Sequence, residues 1–391
     1  MANLEIASPP LSLGFIGGSL QSAIGRTHLC ASTMDNRWAI AAGCFSRDAA
    51  LNHETGSSCG VARERNYDDW RDLILCEKEK LDAVVVLTPI PEHYEMVMGC
   101  LEAKLPVICE KALTTSSERA RQIRDVVQRN KGFLAITYNY SGYPMVRELR
   151  QLVRNGALGK IIHFQIEMQQ EGFLRVDKTG NRPTPQPWRL HDGNVPTIAL
   201  DLAIHLHHLL FYITGESPTE VVAHQGTHGW FPDVVDNVDC LCHCTNGLYG
   251  HVWYSKSALG HRNGLRLRIY GSEASAEWFQ GYPEELVVMH ANGNKNIVDR
   301  AATVDVACAA RYGRFKAGHP AGFLEAFANL YVDIADSLHC YRMTGAVRSC
   351  ETFGADLAID GLCLLEAIRD SVATRAWKTV AKERHANGQH G

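Results

Sequence analysis

The fold is indicated first by a short apolar run that ends in two opposite charges, Val107-Ile108-Cys109-Glu110-Lys111-Ala112. Pro106 precedes the run, and uncharged residues up to Glu110 are typical of a strand buried on both faces of a parallel sheet. Ligands bind beyond the carboxyl ends of the strands in such a sheet, so Lys111 is predicted to point into a cleft. The alternative is that Glu110 and Lys111 only close the strand and are solvated.

Length and composition indicate a soluble protein of two domains. A chain of 391 residues exceeds one ordinary core, and 46% hydrophobic with 21% charged residues is typical of globular proteins. A net charge of -4 provides no basic footprint for nucleic acid. Because no apolar span of membrane length and no signal-peptide pattern occur, we expect a cytoplasmic protein with neither membrane nor nucleic-acid partners.

The chain contains thirteen cysteines. Their odd number and apolar surroundings indicate reduced thiols instead of a disulfide framework. Cys240, Cys242 and Cys244 resemble a metal cluster, but alternate positions on a strand place all three on one face without the spacing of a zinc knuckle. We therefore predict no metal site there.

The first part of the chain alternates apolar strands with helices. A capping box, Thr115-Ser116-Ser117-Glu118, predicts a helix start soon after Lys111. Repeated alternation of this kind predicts a doubly wound parallel sheet. The predicted strands are Leu11 to Gly17, Trp38 to Phe45, Asp82 to Thr88, Val107 to Ala112 and Phe133 to Tyr138.

A glycine-rich turn joins the first predicted strand to the helix that follows it. The turn begins Gly17-Gly18-Ser19 and continues through Ser22 to Gly25. A turn of this kind lets the backbone approach a pyrophosphate, whose charge is met by the free amides at the helix start. Only Gly17 plainly matches the G-x-G-x-x-G fingerprint, because serines occupy its second and third positions. The turn is therefore interpreted either as a dinucleotide site or as a purely structural turn.

The second predicted strand ends in Ser46-Arg47-Asp48. An acidic residue at this place binds the ribose hydroxyls of NAD, whereas a small polar residue followed by arginine accepts the ribose phosphate of NADP. The sequence therefore leaves NAD or NADP open as the cofactor.

The second half of the chain has a different pattern. An amphipathic helix from Tyr143 to Asn155 is followed by longer strand-like runs with few helices between them. These runs predict a second α/β domain, residues 139–391, with an open and largely antiparallel sheet beside a dinucleotide-binding domain of residues 1–138. The runs are Lys160 to Gln170, Pro218 to His224, Cys240 to His251 and Leu265 to Tyr270.

A helix predicted from about Thr197 carries three polar residues, Asp201, His205 and His208, at spacings of four and three. These spacings predict that the side chains project from one face. Because histidine titrates near neutral pH, His205 can take a proton from a hydroxyl or return it. Two alternatives stay open, which are a structural role and a metal site formed by Asp201, His205 and His208.

Several motifs taken together resemble the glucose-fructose oxidoreductase, inositol dehydrogenase and rhizopine catabolism (Gfo/Idh/MocA) family. They include the glycine-rich turn, Thr88-Pro89 followed by His93, Glu110-Lys111, and Asp201 with His205. Further marks are Gly156 to Lys160, Trp188-Arg189 and His319 to Phe327. Ala112 departs from the family pattern because proline commonly follows the lysine there.

The resemblance implies an N-terminal Rossmann domain and an NAD(P)-dependent dehydrogenase that acts on a secondary alcohol of a sugar or polyol. It implies Lys111, His205 and Asp201 as catalytic residues. The implied cofactor-binding residues are Gly17, Gly18, Ser19, Ser22, Ala23, Ile24, Ser46, Arg47, Thr88, Pro89, His93, Glu110 and Lys111. The implied substrate-binding residues are Lys111, Tyr140, Trp188, Arg189, Asp201, His205 and His319.

Two other classes of protein remain as alternatives, a metal-dependent enzyme and a non-catalytic NAD(P)-binding regulator. Retention of both Lys111 and His205 argues against the regulator. A broad sheet with a half-apolar face rarely stays bare, so we expect a homodimer or homotetramer. Cys240, Cys242, Cys244 and Trp253 lie on the strand-like runs involved.

Overall fold

A computed structural model describes residues 9–182 and 184–382 of the chain. Its contacts divide these residues into two compact units. The first comprises the described residues up to Leu113, Gln122–Thr137 and Phe327–Ala355. The second comprises Thr114–Arg121, Tyr138–Ala326 and the described residues from Asp356 onward. The predicted domain boundary after residue 138 stays a prediction, and the structure adds that residues 327–355 cluster with the first unit.

The first unit is organised around a five-stranded sheet in which each neighbouring pair is parallel. Its strands are β1 (Leu11–Gly17), β2 (Trp38–Cys44), β3 (Ala83–Leu87), β4 (Val107–Cys109) and β5 (Leu134–Ile136), in the order β2-β1-β3-β4-β5. The helices that alternate with them are α1 (Ala23–Thr33), α2 (Ala49–Ser58), α3 (Trp70–Glu77), α4 (Ile90–Glu102) and α5 (Ser117–Asn130). The predicted doubly wound parallel sheet is therefore confirmed.

The central strands follow directly from the sequence. Every residue of β3 is buried, as expected for an apolar run between two neighbouring strands and two layers of helices. The helix after β4 begins slightly later than predicted. The amide of Arg119 donates to Ser116 Oγ at 3.4 Å, so Ser116 caps α5, and the predicted cap at Thr115 is one residue too early.

The second unit contains a nine-stranded sheet in the order β13-β12-β11-β10-β6-β9-β8-β7-β14. Only β6 and β9 pair in parallel among these described strands, which confirms a largely antiparallel sheet. The strands are β6 (Ile161–Gln169), β7 (Pro218–Gly226), β8 (Asn237–Cys244), β9 (Tyr249–Ser255), β10 (Arg266–Gly271), β11 (Ala274–Phe279), β12 (Leu286–His290), β13 (Lys295–Val298) and β14 (Lys378–Thr379).

The run from Cys240 to His251 was predicted as one strand, and this prediction is wrong. The structure forms a hairpin there, because Asn246 and Gly247 take positive φ angles of 62° and 78° and reverse the chain between β8 and β9. An Asn-Gly pair is the sequence signal for such a turn. The three cysteines of β8 are all buried on one face, as their alternate spacing predicts.

Among the residues that the structure describes, four further α-helices follow, α6 (Pro144–Arg154), α7 (Ile204–Thr214), α8 (Phe323–Thr344) and α9 (Ala355–Thr374). In the second unit α6 packs against β11, and α7 packs against β6 and α6. Within the described ranges, no helix combines the length and the apolar character needed to cross a membrane.

Candidate active site

The glycine-rich turn lies at the carboxyl end of β1, where the strand order of the first sheet reverses. Gly17 pairs with Leu87, the last residue of β3. Gly17 and Gly18 have φ angles of 82° and 83°, a left-handed conformation that side chains disfavour. A Cβ atom on Gly17 would lie 3.0 Å from the backbone carbon of Leu87. The turn therefore needs glycine both for its backbone angles and for its approach to β3.

Gly25 supplies the close contact between the turn and α1. A Cβ atom on Gly25 would lie 2.5 Å from the backbone carbon and oxygen of Gly18. Close helix packing is the role of the third fingerprint glycine, which sequence reasoning assigned to the position of Ser22. That assignment is wrong, because Ser22 instead caps α1 and its Oγ accepts from the amide of Gly25 at 3.1 Å. The fingerprint is present with a longer loop.

This turn fits the pyrophosphate of a dinucleotide. Residues Ser22, Ala23 and Ile24 form the first turn of α1 and its cap, and all three are at least partly exposed. Free amides at a helix start favour an anion, and no side chain lies on Gly17 or Gly18 to hold a phosphate away. Ser19, although predicted to contact the cofactor, is buried and its carbonyl accepts from the amide of Ser22 at 2.9 Å.

The residues predicted to bind the adenosine ribose lie just after β2. Ser46 is partly exposed and Arg47 is exposed. Arg47 Nη2 donates to Glu92 Oε1 at 2.6 Å, across to the first turn of α4. Asp48 caps α2 by accepting from the amide of Leu51 at 2.9 Å. Arg47 is thus held by a carboxylate that a ribose phosphate would have to displace.

His93 connects the Thr88-Pro89 segment to the residue after Lys111. Its Nε2 lies 2.7 Å from the carbonyl oxygen of Thr88, and its Nδ1 lies 2.9 Å from that of Ala112. His93 is completely buried, and burial lowers its pKa although the two carbonyls and the charge of Glu110 oppose that shift. The ring therefore fixes two backbone segments that border the predicted cofactor site, while Thr88 and Pro89 stay partly exposed.

Glu110 follows β4 directly and is held by side chains from two other segments of the first unit. Its Oε1 accepts from Thr137 Oγ1 at 2.7 Å and lies 3.4 Å from His28 Nε2. The other ring nitrogen of His28 lies 2.7 Å from the hydroxyl oxygen of Tyr331. Burial raises the pKa of the Glu110 carboxyl, but the hydrogen bond from His28, the charge of Lys111 and Thr137 outweigh it, so its pKa is lowered. Glu110 is a buried carboxylate that remains ionised.

Lys111 is half-buried at the carboxyl end of β4, as the sequence predicts. The peptide bond between Lys111 and Ala112 is cis, although the family's usual proline is absent.

In the second unit, Asp201 lies in a π-helical turn, Ala199–Ala203, that leads into α7. Its Oδ2 accepts from Lys256 Nζ at 2.6 Å and from Arg189 Nη1. The helix starts where it is predicted, but the wider turn changes the angular spacing on which the one-face prediction depends. Asp201, predicted to hold a substrate hydroxyl, is engaged by two cations instead.

The two cations are each placed against an aromatic ring. The guanidinium of Arg189 lies 4.3 Å from the ring centre of Trp188, and Lys256 Nζ lies 5.3 Å from that of Phe173. The side chain of Lys256 is 7% exposed and that of Arg189 is 28% exposed. Lys256 was missed in the sequence analysis, although it lies just past the carboxyl end of a strand, as Lys111 does.

His205 is buried one helical turn after Asp201, and its environment is aromatic. Its ring meets the ring of Tyr140 edge-on, with centres 4.7 Å apart. Asn263 Nδ2 donates to the hydroxyl oxygen of Tyr140 at 3.1 Å, so the ring that orients His205 is itself fixed. Asn263 also accepts from Gln170 Nε2 at 2.9 Å. Neither Asn263 nor Gln170 carried a sequence signal.

The neighbouring histidines have different surroundings. His208 is fully buried and stacks on Tyr138 with ring centres 4.2 Å apart. Burial lowers the pKa of His207 to about 4, so this ring is neutral at neutral pH. In the part of the chain that the structure describes, no three histidine, cysteine, aspartate or glutamate side chains are grouped so that they could hold a metal ion. The metal alternative for Asp201, His205 and His208 thus lacks a ligand cluster.

The remaining predicted substrate residues lie at different places in the second unit. Tyr140 and Arg189 contact the residues already described. Trp188 Nε1 donates to Gln186 Oε1 at 2.9 Å. His319 is exposed and its ring packs edge-on against Phe315, with centres 4.5 Å apart.

Comparison with known proteins agrees with this arrangement. Residues 11–138 match the model of the oxidoreductase family with an NAD-binding Rossmann fold, and residues 146–277 match the GFO/IDH/MocA C-terminal domain. An uncharacterized oxidoreductase, YfiI, of Bacillus subtilis is 30% identical over 85% of this chain and 86% of its own length. The chain belongs to the GFO/IDH/MocA family. The predicted family, its NAD-binding domain and the oxidoreductase class are confirmed.

Two relatives whose names state a function extend the comparison. The rhizopine catabolism protein MocA of Rhizobium meliloti is 25% identical over 68% of this chain and 77% of its own length. The inositol dehydrogenase homolog of Azotobacter vinelandii, solved with NADH and myo-inositol, superposes with a TM-score of 0.85. That structure is 26% identical and covers 95% of this chain and 98% of its own.

Proposed function

We propose that this GFO/IDH/MocA protein transfers hydride between NAD and a secondary alcohol or ketone of a sugar, a sugar derivative or a polyol. The observation that carries the proposal is the placement of Glu110-Lys111 at the carboxyl end of β4, in the same sheet whose β1 ends in the glycine turn. Ligands of open parallel sheets bind at that edge. The sugar and polyol dehydrogenases among the relatives support the same class of substrate.

The residues supply the proton chemistry that the cofactor lacks. A bound nicotinamide would accept the hydride from carbon, and the hydroxyl on that carbon must lose a proton to the protein. His205 takes this proton as general base, because a neutral imidazole accepts one near neutral pH. Lys111 donates a hydrogen bond to the same oxygen and stabilises the negative charge that develops on it.

Glu110 acts on Lys111 and not on the substrate. Its carboxylate is buried beside Lys111 and stays ionised because His28 and Thr137 bond to it. The fixed negative charge of Glu110 attracts the Lys111 side chain, which is the hydrogen-bond donor in this mechanism. Tyr140 keeps the His205 ring in one orientation through the edge-on contact.

A scan of sugars and polyols with NAD and with NADP tests this proposal, with reduced nicotinamide followed by its absorbance. We expect turnover with at least one secondary alcohol and a higher kcat/KM with NAD. The matched variants Gly25→Ala and Gly172→Ala extend the test to the cofactor, because the first places a methyl group against Gly18 and the second meets no atom within 4 Å. Weaker NAD binding only in Gly25→Ala is the expected result.

Two outcomes contradict the proposal. One is the absence of any NAD- or NADP-dependent turnover across the scan together with no thermal stabilisation by millimolar nucleotide. The other is a Gly25→Ala variant that folds and binds NAD as tightly as the unchanged protein.

The assembly we propose is a homodimer or homotetramer formed through the open face of the nine-stranded sheet. The cysteines of β8 are buried, so the contact surface is the opposite face, on which Leu241 is 51% and Tyr249 is 49% exposed. Light scattering at micromolar concentration tests this, with Leu241→Lys expected to shift the oligomer toward monomer. A monomeric unchanged protein contradicts it.

The compartment we propose is the cytoplasm. All thirteen cysteines are free in the structure, among them the adjacent pair Cys240 and Cys242, whose sulfur atoms are 3.6 Å apart. Free thiols persist where the surroundings are reducing. Fractionation of cells that express the full chain is the direct measurement.

A further inference from the structure

The arrangement of charge around Asp201 bears on which sugars the protein accepts. Two cationic groups, the guanidinium of Arg189 and the ammonium of Lys256, reach the same oxygen atom, Asp201 Oδ2. One carboxylate oxygen shared by two cations forms a group whose three members sum to one positive charge. The group is at least half-buried, with side-chain exposures of 28% for Arg189, 13% for Asp201 and 7% for Lys256.

The cations are built into the fold, because each comes from a separate segment and rests on its own aromatic ring. Arg189 belongs to a short 3-10 turn, Pro187–Leu190, and Lys256 follows β9 directly. The backbone amide of Lys256 donates to the carbonyl oxygen of Asp236 at 2.7 Å, which fixes where its side chain starts. Two other carboxylates of the second unit are engaged by backbone amides instead. Asp192 accepts from the amides of Thr197 and Val235. Asp236 accepts from those of His228 and Gly229.

The position of this group relative to His205 makes it relevant to substrate. Asp201 precedes His205 by four residues in one continuous helical segment, which begins with the π-helical turn, so the two residues lie about one helical turn, roughly 5 Å, apart along the helix axis. This distance is about that between a ring hydroxyl and a substituent on the far side of the same sugar. An anion held by Arg189 and Lys256 would therefore leave a hydroxyl of the same molecule near His205.

We propose that Arg189 and Lys256 select an anionic sugar, one that carries a carboxylate or a phosphate, over its neutral counterpart. This inference rests on the proposed function and adds the charge of the substrate to it. Arg189 is the residue that meets the anion first, since it is the more exposed of the two and its planar guanidinium matches the geometry of both carboxylate and phosphate. Lys256 contributes a nearly buried positive charge behind it.

The experiment compares neutral and anionic members of the same sugar series with NAD. D-Glucose is paired with D-glucuronate and D-glucose 6-phosphate, and D-galactose is paired with D-galacturonate. We expect kcat/KM to favour an anionic member by about tenfold or more, mainly through KM. The carboxylate and phosphate arms distinguish the two sources of charge. Raising the ionic strength should increase KM for the preferred acid and leave KM for the neutral sugar unchanged.

Two variants locate the effect. Arg189→Gln is expected to lower kcat/KM for the acid about tenfold more than it lowers kcat/KM for the neutral sugar. The matched control is Arg182→Gln, since Arg182 is also an arginine placed over a tryptophan, 5.3 Å from the ring centre of Trp230, and is exposed. The control should keep the full preference.

Several results would overturn the inference. Turnover of neutral sugars with equal or higher kcat/KM than the acids contradicts it and leaves the proposed function intact. An equal loss on both kinds of substrate in Arg189→Gln means that the cations only hold Asp201, which also contradicts it. The comparison of acids with neutral sugars needs no variant, so it decides the question even if Arg189→Gln does not fold. Absence of any turnover across the panel contradicts the proposed function and this inference together.

Discussion

Glu110 and Asp201 are both carboxylates largely removed from water, one in each compact unit, but they are balanced in different ways. Glu110 accepts hydrogen bonds from Thr137 and His28 and has Lys111 as its sequence neighbour. Asp201 receives two cationic side chains on a single oxygen. The first arrangement preserves a negative charge beside a lysine, whereas the second places two cationic groups against one carboxylate oxygen.

The difference shows how the same residue type serves two tasks. A buried carboxylate held by hydroxyl and imidazole groups keeps its negative charge in a fixed place, because these partners donate hydrogen bonds and need not be charged themselves. A carboxylate that forms ion pairs with two cations fixes the positions of both. Glu110 therefore acts on its neighbour Lys111, while Asp201 fixes the positions of Arg189 and Lys256.

The largest effect is expected for the groups that act on the reacting hydroxyl. Lys111→Ala and His205→Ala should each lower kcat by about a hundredfold or more, the usual scale for loss of an acid-base group. Their effects should not add in the double variant, because the proposed mechanism assigns both groups to one oxygen. Steady-state kinetics on the best substrate, with NAD affinity measured separately, checks both statements.

His208→Ala is the matched control for that experiment. His208 stacks on Tyr138 and Tyr212 and has no role in the proposed proton transfer, so its removal should lower stability more than turnover. If His208→Ala is as damaging to kcat as His205→Ala, or if all three variants keep near-normal turnover, the assignment of Lys111 and His205 is wrong.

The sequence predicted the residues that lie at the ends of regular elements better than those that meet across the fold. Glu110-Lys111 and the helix that carries Asp201 and His205 were predicted because strand and helix periodicity place them. Lys256 was missed as a partner of Asp201 because the two are 55 positions apart in the chain. Gly25 was missed because the loop after Gly18 is longer than the fingerprint assumes, and only the backbone approach of α1 identifies it.

An intermediate effect is expected when Asp201 loses its charge. Asp201→Asn leaves Arg189 and Lys256 close together with their shared counter-charge removed, so the free energy of unfolding should fall by about 1–3 kcal/mol. Adding Lys256→Met should recover part of that loss, since one of the two repelling charges is then gone. Urea unfolding of both variants measures the coupling.

Asp239→Asn serves as the control for Asp201→Asn. Asp239 also pairs with a basic side chain, His251 at 3.4 Å, but its side chain is 47% exposed. Exposed pairs contribute between zero and about 1 kcal/mol, so this change should be nearly neutral. Equal destabilisation by the two substitutions would contradict the view that the ion pairs of Asp201 with Arg189 and Lys256 stabilise the fold.

The smallest effect concerns Glu110 and the pH dependence of stability. The pKa of Glu110 in the folded protein lies below its usual value of 4.5, because the hydrogen bond from His28, the charge of Lys111 and Thr137 outweigh the opposing effect of burial. A carboxyl whose folded pKa is lowered stabilises the protein above the unfolded pKa, and this stabilisation is lost as pH falls through the folded pKa. Glu110→Gln should therefore lower the free energy of unfolding by about 1 kcal/mol at pH 7, and the difference from the unchanged protein should shrink as the pH falls below 4.5.

Glu54→Gln, a change at an exposed carboxylate on α2, is the control and should show almost no difference from the unchanged protein at any pH. Urea midpoints between pH 7 and pH 4 provide the measurement. If the loss of stability in Glu110→Gln grows toward acid pH, Glu110 is protonated in the folded protein. The fixed negative charge on which the role of Lys111 depends would then be absent.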